Sequence, residues 1–119
     1  MPYVDGYIIP LPKKFVRNYV KMAKAASKIW MDHGALEFRE CVGDDLKTPY
    51  GLGFQKMCKL KPRETVFFSW VVYKSKAHRN AVNKKVMSDP RMGKIMQNMK
   101  MPFEVKRMAY GGFIEKVRG

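Results

Sequence analysis

Cysteine and histidine are scarce: the 119 residues hold two of each. Cys41 and Cys58 form no C-x-x-C pair and have no clustered histidines, which excludes the usual zinc patterns. Both read as reduced thiols, Cys41 as a small buried hydrophobe within a strand pattern. Long apolar runs are missing too. The longest, Val66 to Tyr73, is broken by Ser69 and falls far short of the roughly 20 residues a membrane span needs. Residues 1–5 carry neither a basic leader nor an apolar stretch, so the expectation is a cytoplasmic protein without a membrane partner. No P-loop, G-x-G-x-x-G, H-E-x-x-H, EF-hand or nucleophile-elbow pattern occurs. The expectation is therefore no cofactor and no metal.

Acidic residues are also few. Asp plus Glu is 10 against 24 Lys plus Arg, a formal charge of +14. Residues 74–100 alone hold eight basic side chains and one acid, Asp89, and so supply +7 of that total. A field of this sign attracts anions, nucleic acid among them, and also keeps a chain soluble. The 46% apolar and 13% aromatic content belongs to a folded chain, and the length suits one domain over 1–119.

Tyr3 to Ile9 is rich in β-formers, with Pro10 and Pro12 after it. Phe15, Tyr19, Met22, Ala26, Ile29 and Trp30 recur at the spacing of one helical face, and Gly34 is placed to end that helix. Ala35 to Val42 alternates, with Leu36, Phe38 and Val42 on one side and Glu37, Arg39 and Cys41 on the other. Glu40 shares the apolar parity. Residues 43–63, with two prolines and three glycines, predict a long excursion that carries a short strand around Phe54 to Leu60. Glu64 to Tyr73 is apolar on both parities, the pattern of a central strand covered on both faces. Ser75 caps a second helix through Val82 and Val86. Asp89-Pro90 starts a short helix over Pro90 to Met99, and a last strand runs from Phe103 to Val117 with a bend at Gly111-Gly112.

This order is α+β, a ferredoxin-like βαββαβ arrangement with an extra short helix before the last strand. Helices cover one sheet face. The other face is partly apolar and needs a cover, for which a second copy of the chain is the economical answer. The expected partner is thus the chain itself, paired as a dimeric α+β barrel.

Several motifs follow in order: Tyr3-Val4-Asp5-Gly6-Tyr7, His33-Gly34-Ala35, Glu40-Cys41-Val42 and Phe68 to Tyr73. Met87 to Met92, Met101-Pro102-Phe103 and Lys106 to Phe113 complete the set. Together they resemble the YbaA-like family of small bacterial proteins, a family of unknown function within the dimeric α+β barrel superfamily. The resemblance implies the fold just described and supplies no catalytic residues. The superfamily includes cofactor-independent quinone-forming monooxygenases, haem-degrading enzymes and small-molecule isomerases. These generally use the cavity between sheet and helices, so the resemblance implies a ligand cavity but no chemistry.

Two sets of residues are candidates for function. Asp5, Glu37, Arg39, Glu40 and Arg107 are ionisable groups on predicted strand segments, and such charges must be paired or exposed. With Trp70, Tyr73 and Tyr110 they could line a polar pocket for a small anionic or carbonyl substrate, a carboxylate acting as base and an arginine as clamp. The alternative is an ion-pair network at a dimer interface. Trp70 with His78 resembles the haem-degrading branch, although the first strand offers Asp5 and no asparagine. His33 fits a helix C-terminus. Met87, Met92, Met96, Met99, Met101 and Met108 suit core filling or an apolar pocket. The second set is basic: Arg17, Lys21, Lys24 and Lys28 with Lys76, Arg79, Lys84 and Lys85. On adjacent helices these could hold RNA or another polyanion by its backbone. No aromatic RNA-binding strand and no G-x-x-G clamp is present.

Overall fold

Four strands and four helices account for most of the computed structural model, which describes residues 1–98 and 102–119. The predicted helix end at Met99, and Met101 with the start of its motif, lie outside the described residues. In chain order the elements are β1 (Tyr3–Pro12), α1 (Val16–Asp32), β2 (Glu37–Val42), α2 (Phe54–Met57), β3 (Glu64–Tyr73), α3 (Lys76–Met87), α4 (Pro90–Asn98) and β4 (Ala109–Ile114). The strands form one antiparallel sheet in the order β2-β3-β1-β4. The fold is the expected α+β arrangement, with α4 as the extra helix before the last strand.

Local chemistry explains the boundaries. Gly34 takes φ +107°, a conformation that favours glycine, and turns the chain from α1 into β2. The Ser75 hydroxyl accepts the His78 amide at 3.1 Å and caps α3. Asp89 accepts the Arg91 amide at 2.8 Å at the head of α4. Its other oxygen meets His33 Nε2 at 2.8 Å, which ties the end of α1 to the start of α4. His33 thus has a structural partner.

Three local expectations differ from the structure. β1 runs through Pro10 to Pro12 instead of stopping at Ile9. Its pairing with β4 ends at Ile8, so on that side the prolines owe no ladder bond. Phe54–Met57 is a helical turn and not a strand. β4 is shorter than expected, and Gly111-Gly112 stays in register opposite Gly6 and Asp5 without a bulge. These glycines serve side-chain space. A Cβ on Gly112 would collide with the Tyr3 phenol, and one on Gly6 would stand 3.3 Å from the Phe113 ring.

Register sorts the strand residues into two faces. Toward the helices, the cross-strand rows are Tyr73–Tyr3–Ile114, Phe38–Val71–Asp5–Gly112, Glu40–Ser69–Tyr7–Tyr110 and Val42–Phe67–Ile9. Both buried clusters lie on this face. One gathers Tyr3, Ile29, Val71, Tyr73, Val82, Val86 and Met92. The other gathers Ile9, Leu11, Tyr19, Ala23 and Phe67. The opposite face carries the rows Glu37–Val72–Val4–Phe113, Arg39–Trp70–Gly6–Gly111 and Cys41–Phe68–Ile8–Ala109. Residues 43–63 cover only its far end, over Val66. Phe68 and Phe113 remain 48% and 61% exposed there, and Cys41, expected to be buried, is exposed on the same open face because no element covers it.

The Gly112 contact is open to a stability test. Gly112→Ala is expected to cost about 1–3 kcal/mol, the usual penalty for overfilling a packed site. Adding Tyr3→Leu, which removes the phenol, should recover part of that loss. Chemical denaturation of the two single variants and the double variant measures the coupling.

Candidate functional site

The helix face of the sheet carries two carboxylates, Asp5 fully buried and Glu40 half-buried, and they are treated differently. Glu40, on β2, accepts the Tyr19 hydroxyl at 2.8 Å and also the Ser69 hydroxyl. Burial raises its pKa while the two hydroxyl bonds pull it back. It is a satisfied carboxylate between α1 and β3.

Asp5, on β1, is fully buried, and neither of its oxygens has a hydrogen-bond partner. Arg79 Nε lies 3.7 Å from Asp5 Oδ1, too long for a hydrogen bond, and is itself buried and unpartnered. The rest of the guanidinium is fixed from the side. One terminal nitrogen donates to the Tyr3 hydroxyl at 3.3 Å, and its carbon sits 5.0 Å from the Tyr3 ring centre. Burial raises the Asp5 pKa, and the Arg79 charge and the Asn83 amide only partly offset this.

A second layer of polar groups surrounds this pair. The Trp30 indole N–H donates to Tyr73 Oη at 3.1 Å and to Asn83 Oδ1 at 3.2 Å. The Tyr73 hydroxyl donates to the same Asn83 oxygen at 3.1 Å. Tyr73 is pushed up to about 12 by burial, with the Asp5 charge adding to it. Tyr7 is raised further by the same causes and stacks on Tyr110 at 5.5 Å. Both phenols therefore stay protonated at neutral pH and can donate.

The eight residues expected to share a pocket do not meet. Asp5, Glu40, Tyr73 and Tyr110 lie on the helix face. Glu37, Arg39 and Trp70 lie on the opposite face, where the Trp70 indole donates to Glu37 at 2.6 Å and Arg39 stands 3.6 Å from the same carboxylate. The cause is strand parity, since neighbours along a strand point to opposite sides. Arg107 sits at the start of β3, about 20 Å along the strand from Asp5. There it holds Glu64 with two bonds, at 2.6 and 2.9 Å, and depresses that carboxyl to about 2. Trp70 and His78 also fall on opposite sides of the sheet. His78 accepts the Lys74 amide at 3.0 Å at the head of α3.

Of the basic set, Arg17, Lys21, Lys24, Lys28, Lys76, Lys84 and Lys85 are exposed. Arg79 is the exception: it turns inward to Asp5. Sequence reasoning gave it to the wrong set and missed Tyr3, Tyr7, Trp30 and Asn83. A signal existed. Arg79, Val82, Asn83 and Val86 recur at i, i+3, i+4 and i+7, so one stripe of α3 is at once apolar and polar and faces the sheet.

Among the described residues no group of three or more His, Cys, Asp or Glu side chains could hold a metal ion. No described helix is long and apolar enough to cross a membrane.

These features define a class first: an α+β protein with helices on one face of a four-stranded antiparallel sheet. Within that class the chain belongs to the family described as "Protein of unknown function (DUF1428)", which it matches over residues 2–105. It is 41% identical over 113 residues to the uncharacterized protein YbaA of Escherichia coli strain K12, covering 95% of each chain. The same identity and coverage hold for the Shigella flexneri protein of that name. Among solved structures it is similar to an uncharacterized NIPSNAP domain protein from Burkholderia xenovorans. There the TM-score is 0.60 at 15% identity, over 96% of this chain and 94% of that one. A NIPSNAP family protein of unknown function from Agrobacterium tumefaciens gives a TM-score of 0.58 at 13% identity, over 94% and 86%. At these identities the likeness concerns the fold alone.

Removing Arg79 leaves Asp5 as a lone buried charge, the costly way to break a buried pair. Arg79→Gln is therefore expected to lose about 3 kcal/mol at pH 7. A carboxyl whose folded pKa is raised takes up its proton at higher pH when folded than when unfolded. Its penalty therefore fades as pH falls toward about 4. The Arg79→Gln deficit should shrink over that range, and adding Asp5→Asn should remove most of it. Denaturation at pH 7 and pH 5 checks both outcomes.

Proposed function

We propose that the protein is a cytoplasmic small-molecule-binding protein whose site lies between the sheet and α3, centred on Asp5 and Arg79. The observation that carries the reading is the buried Asp5 carboxylate, with the Asn83 amide near it but no donor within hydrogen-bond distance, beside an equally unpartnered Arg79 Nε. Buried polar groups are nearly always hydrogen-bonded, and exceptions concentrate where a protein does chemistry. A substrate with a hydroxyl or acidic C–H next to a carbonyl matches both halves of the pair. Asp5 would take the proton, and Arg79, with the Tyr3 hydroxyl, would hold the oxygen on which negative charge grows. Such a proton abstraction opens both isomerase-like and cofactor-independent monooxygenase-like reactions, the classes that the superfamily resemblance suggested.

The assembly is part of the same proposal. The open sheet face forms a shallow groove of about 830 Å³, lined by Val4, Ile8, Phe68, Trp70, Val72 and Phe113. Gly6 and Gly111 face each other across β1 and β4, and the Phe113 ring lies over Gly6. An apolar face of this kind favours association, and a second copy would bury it sheet to sheet. Phe113→Asp is expected to give a monomer at micromolar concentration, against a wild-type dimer, by light scattering on a sizing column. A monomeric wild type would refute the assembly.

Native mass spectrometry of protein purified at low salt tests the site. The expected result is a species carrying a discrete small-molecule mass, which Asp5→Asn loses without losing its fold. The absence of any such mass, or its retention by Asp5→Asn, would overturn the reading. Heterogeneous nucleic acid stripped by salt would favour the seven exposed basic residues on α1 and α3 as a polyanion surface instead.

A further inference from the structure

A second hollow, of about 770 Å³, lies at the end of the sheet where β1 passes into α1 and β3 begins. It is remote from Asp5 and independent of the reading above. Its apolar walls are Pro12, Phe15, Pro62 and Phe103. Proline backbones lose little freedom on binding, so the walls are pre-shaped. Its volume falls in the range of small-molecule sites.

The charges are unevenly matched. Glu64 is already held by two bonds from Arg107, and Glu104 stands 3.9 Å from Lys61. Three cations on the rim, Lys13, Lys14 and Arg63, have no carboxylate partner among the described residues. The Lys13 amide donates to the Arg63 carbonyl at 2.9 Å, which holds two of the three side by side across the strand ends. The Lys14 ammonium rests 5.1 Å from the Phe15 ring centre, over the apolar wall. A cationic rim above an aromatic floor suits one kind of molecule: an apolar body with a single anionic head.

We propose that this hollow binds an amphipathic organic monoanion. Its apolar body lies between Phe15 and Phe103, and its carboxylate lies among Lys13, Lys14 and Arg63. The rim supplies charge and the floor supplies apolar area, so neither a small inorganic anion nor a neutral apolar molecule satisfies both.

Calorimetric titration of the full-length chain with 4-phenylbutyrate tests this, with 4-phenylbutanol and acetate as matched controls. The acid is expected to bind at least about tenfold more tightly than either control. The triple variant Lys13→Gln/Lys14→Gln/Arg63→Gln should lose about tenfold in affinity while keeping its melting temperature. Phe113→Asp, on the open sheet face, should leave the affinity unchanged. Several outcomes would overturn the proposal. They are no binding of the acid, equal binding of the alcohol or of acetate, unaltered affinity in the triple variant, and loss of binding in Phe113→Asp.

Discussion

The buried Asp5 carboxylate is the constraint around which the helix–sheet layer is arranged. An unpaired charge taken out of water costs several kcal/mol, whereas a hydrogen bond contributes about 1 kcal/mol net. The chain therefore has to bring a cation to Asp5, and it does so from α3. Arg79 reaches the sheet only because α3 packs on Tyr73 through Val82 and Val86, on the same stripe as Asn83. Asn83 then joins Trp30 of α1 to Tyr73 of β3 through a shared oxygen. Tyr3 steadies the guanidinium, and Gly112 makes room for Tyr3. A change at any of these positions is transmitted to the same carboxylate.

Glu40 shows what a purely structural solution looks like in the same fold. Two cross-element hydroxyls both donate to its Oε1, and the side chain is only half-buried. At Asp5 the opposite holds. Arg79 Nε is held 3.7 Å away by the other contacts of its guanidinium, although a small shift of one side chain would close the gap. Protein interiors rarely leave three polar atoms unpaired at one point. The contrast between the two carboxylates, one row apart on one face, separates a candidate site from ordinary burial.

Much of the architecture was legible in the sequence because it rests on local signals. Gly34, Ser75 and Asp89-Pro90 mark helix boundaries through backbone conformation and capping, and the structure places helix boundaries at each. The misreadings arise where tertiary context decides. Pro10 and Pro12 are tolerated within β1 because β4 has already ended, which no local pattern reveals. Gly111-Gly112 looks like a bend until Tyr3 and Phe113 are seen to occupy the space. The site was half legible. Asp5 stood out as a strand charge, and Glu40 stood out through its parity. The rest of the eight residues were gathered by residue type, and that grouping ignored the alternation that sends Glu37, Arg39 and Trp70 through the sheet. Arg79 was classed by its charge when its spacing from Val82, Asn83 and Val86 was the better guide.

Charge completes the picture. Of the ten acids, seven stand within 4.0 Å of a basic group, and Glu40 is held by hydroxyls. The acids are thus nearly all committed to the fold, and only Asp44 and Asp45 are left over. The excess of cations is a property of the whole surface more than of one helix. It raises the local concentration of small anions and acidic substrates. Where it coincides with apolar shape, at the end of the sheet, it becomes selective. Where it meets a buried carboxylate, at Asp5, it is confined to one guanidinium. That single cation is enough to hold the charge in place and too distant to satisfy it, which leaves the carboxylate able to accept a proton from something else.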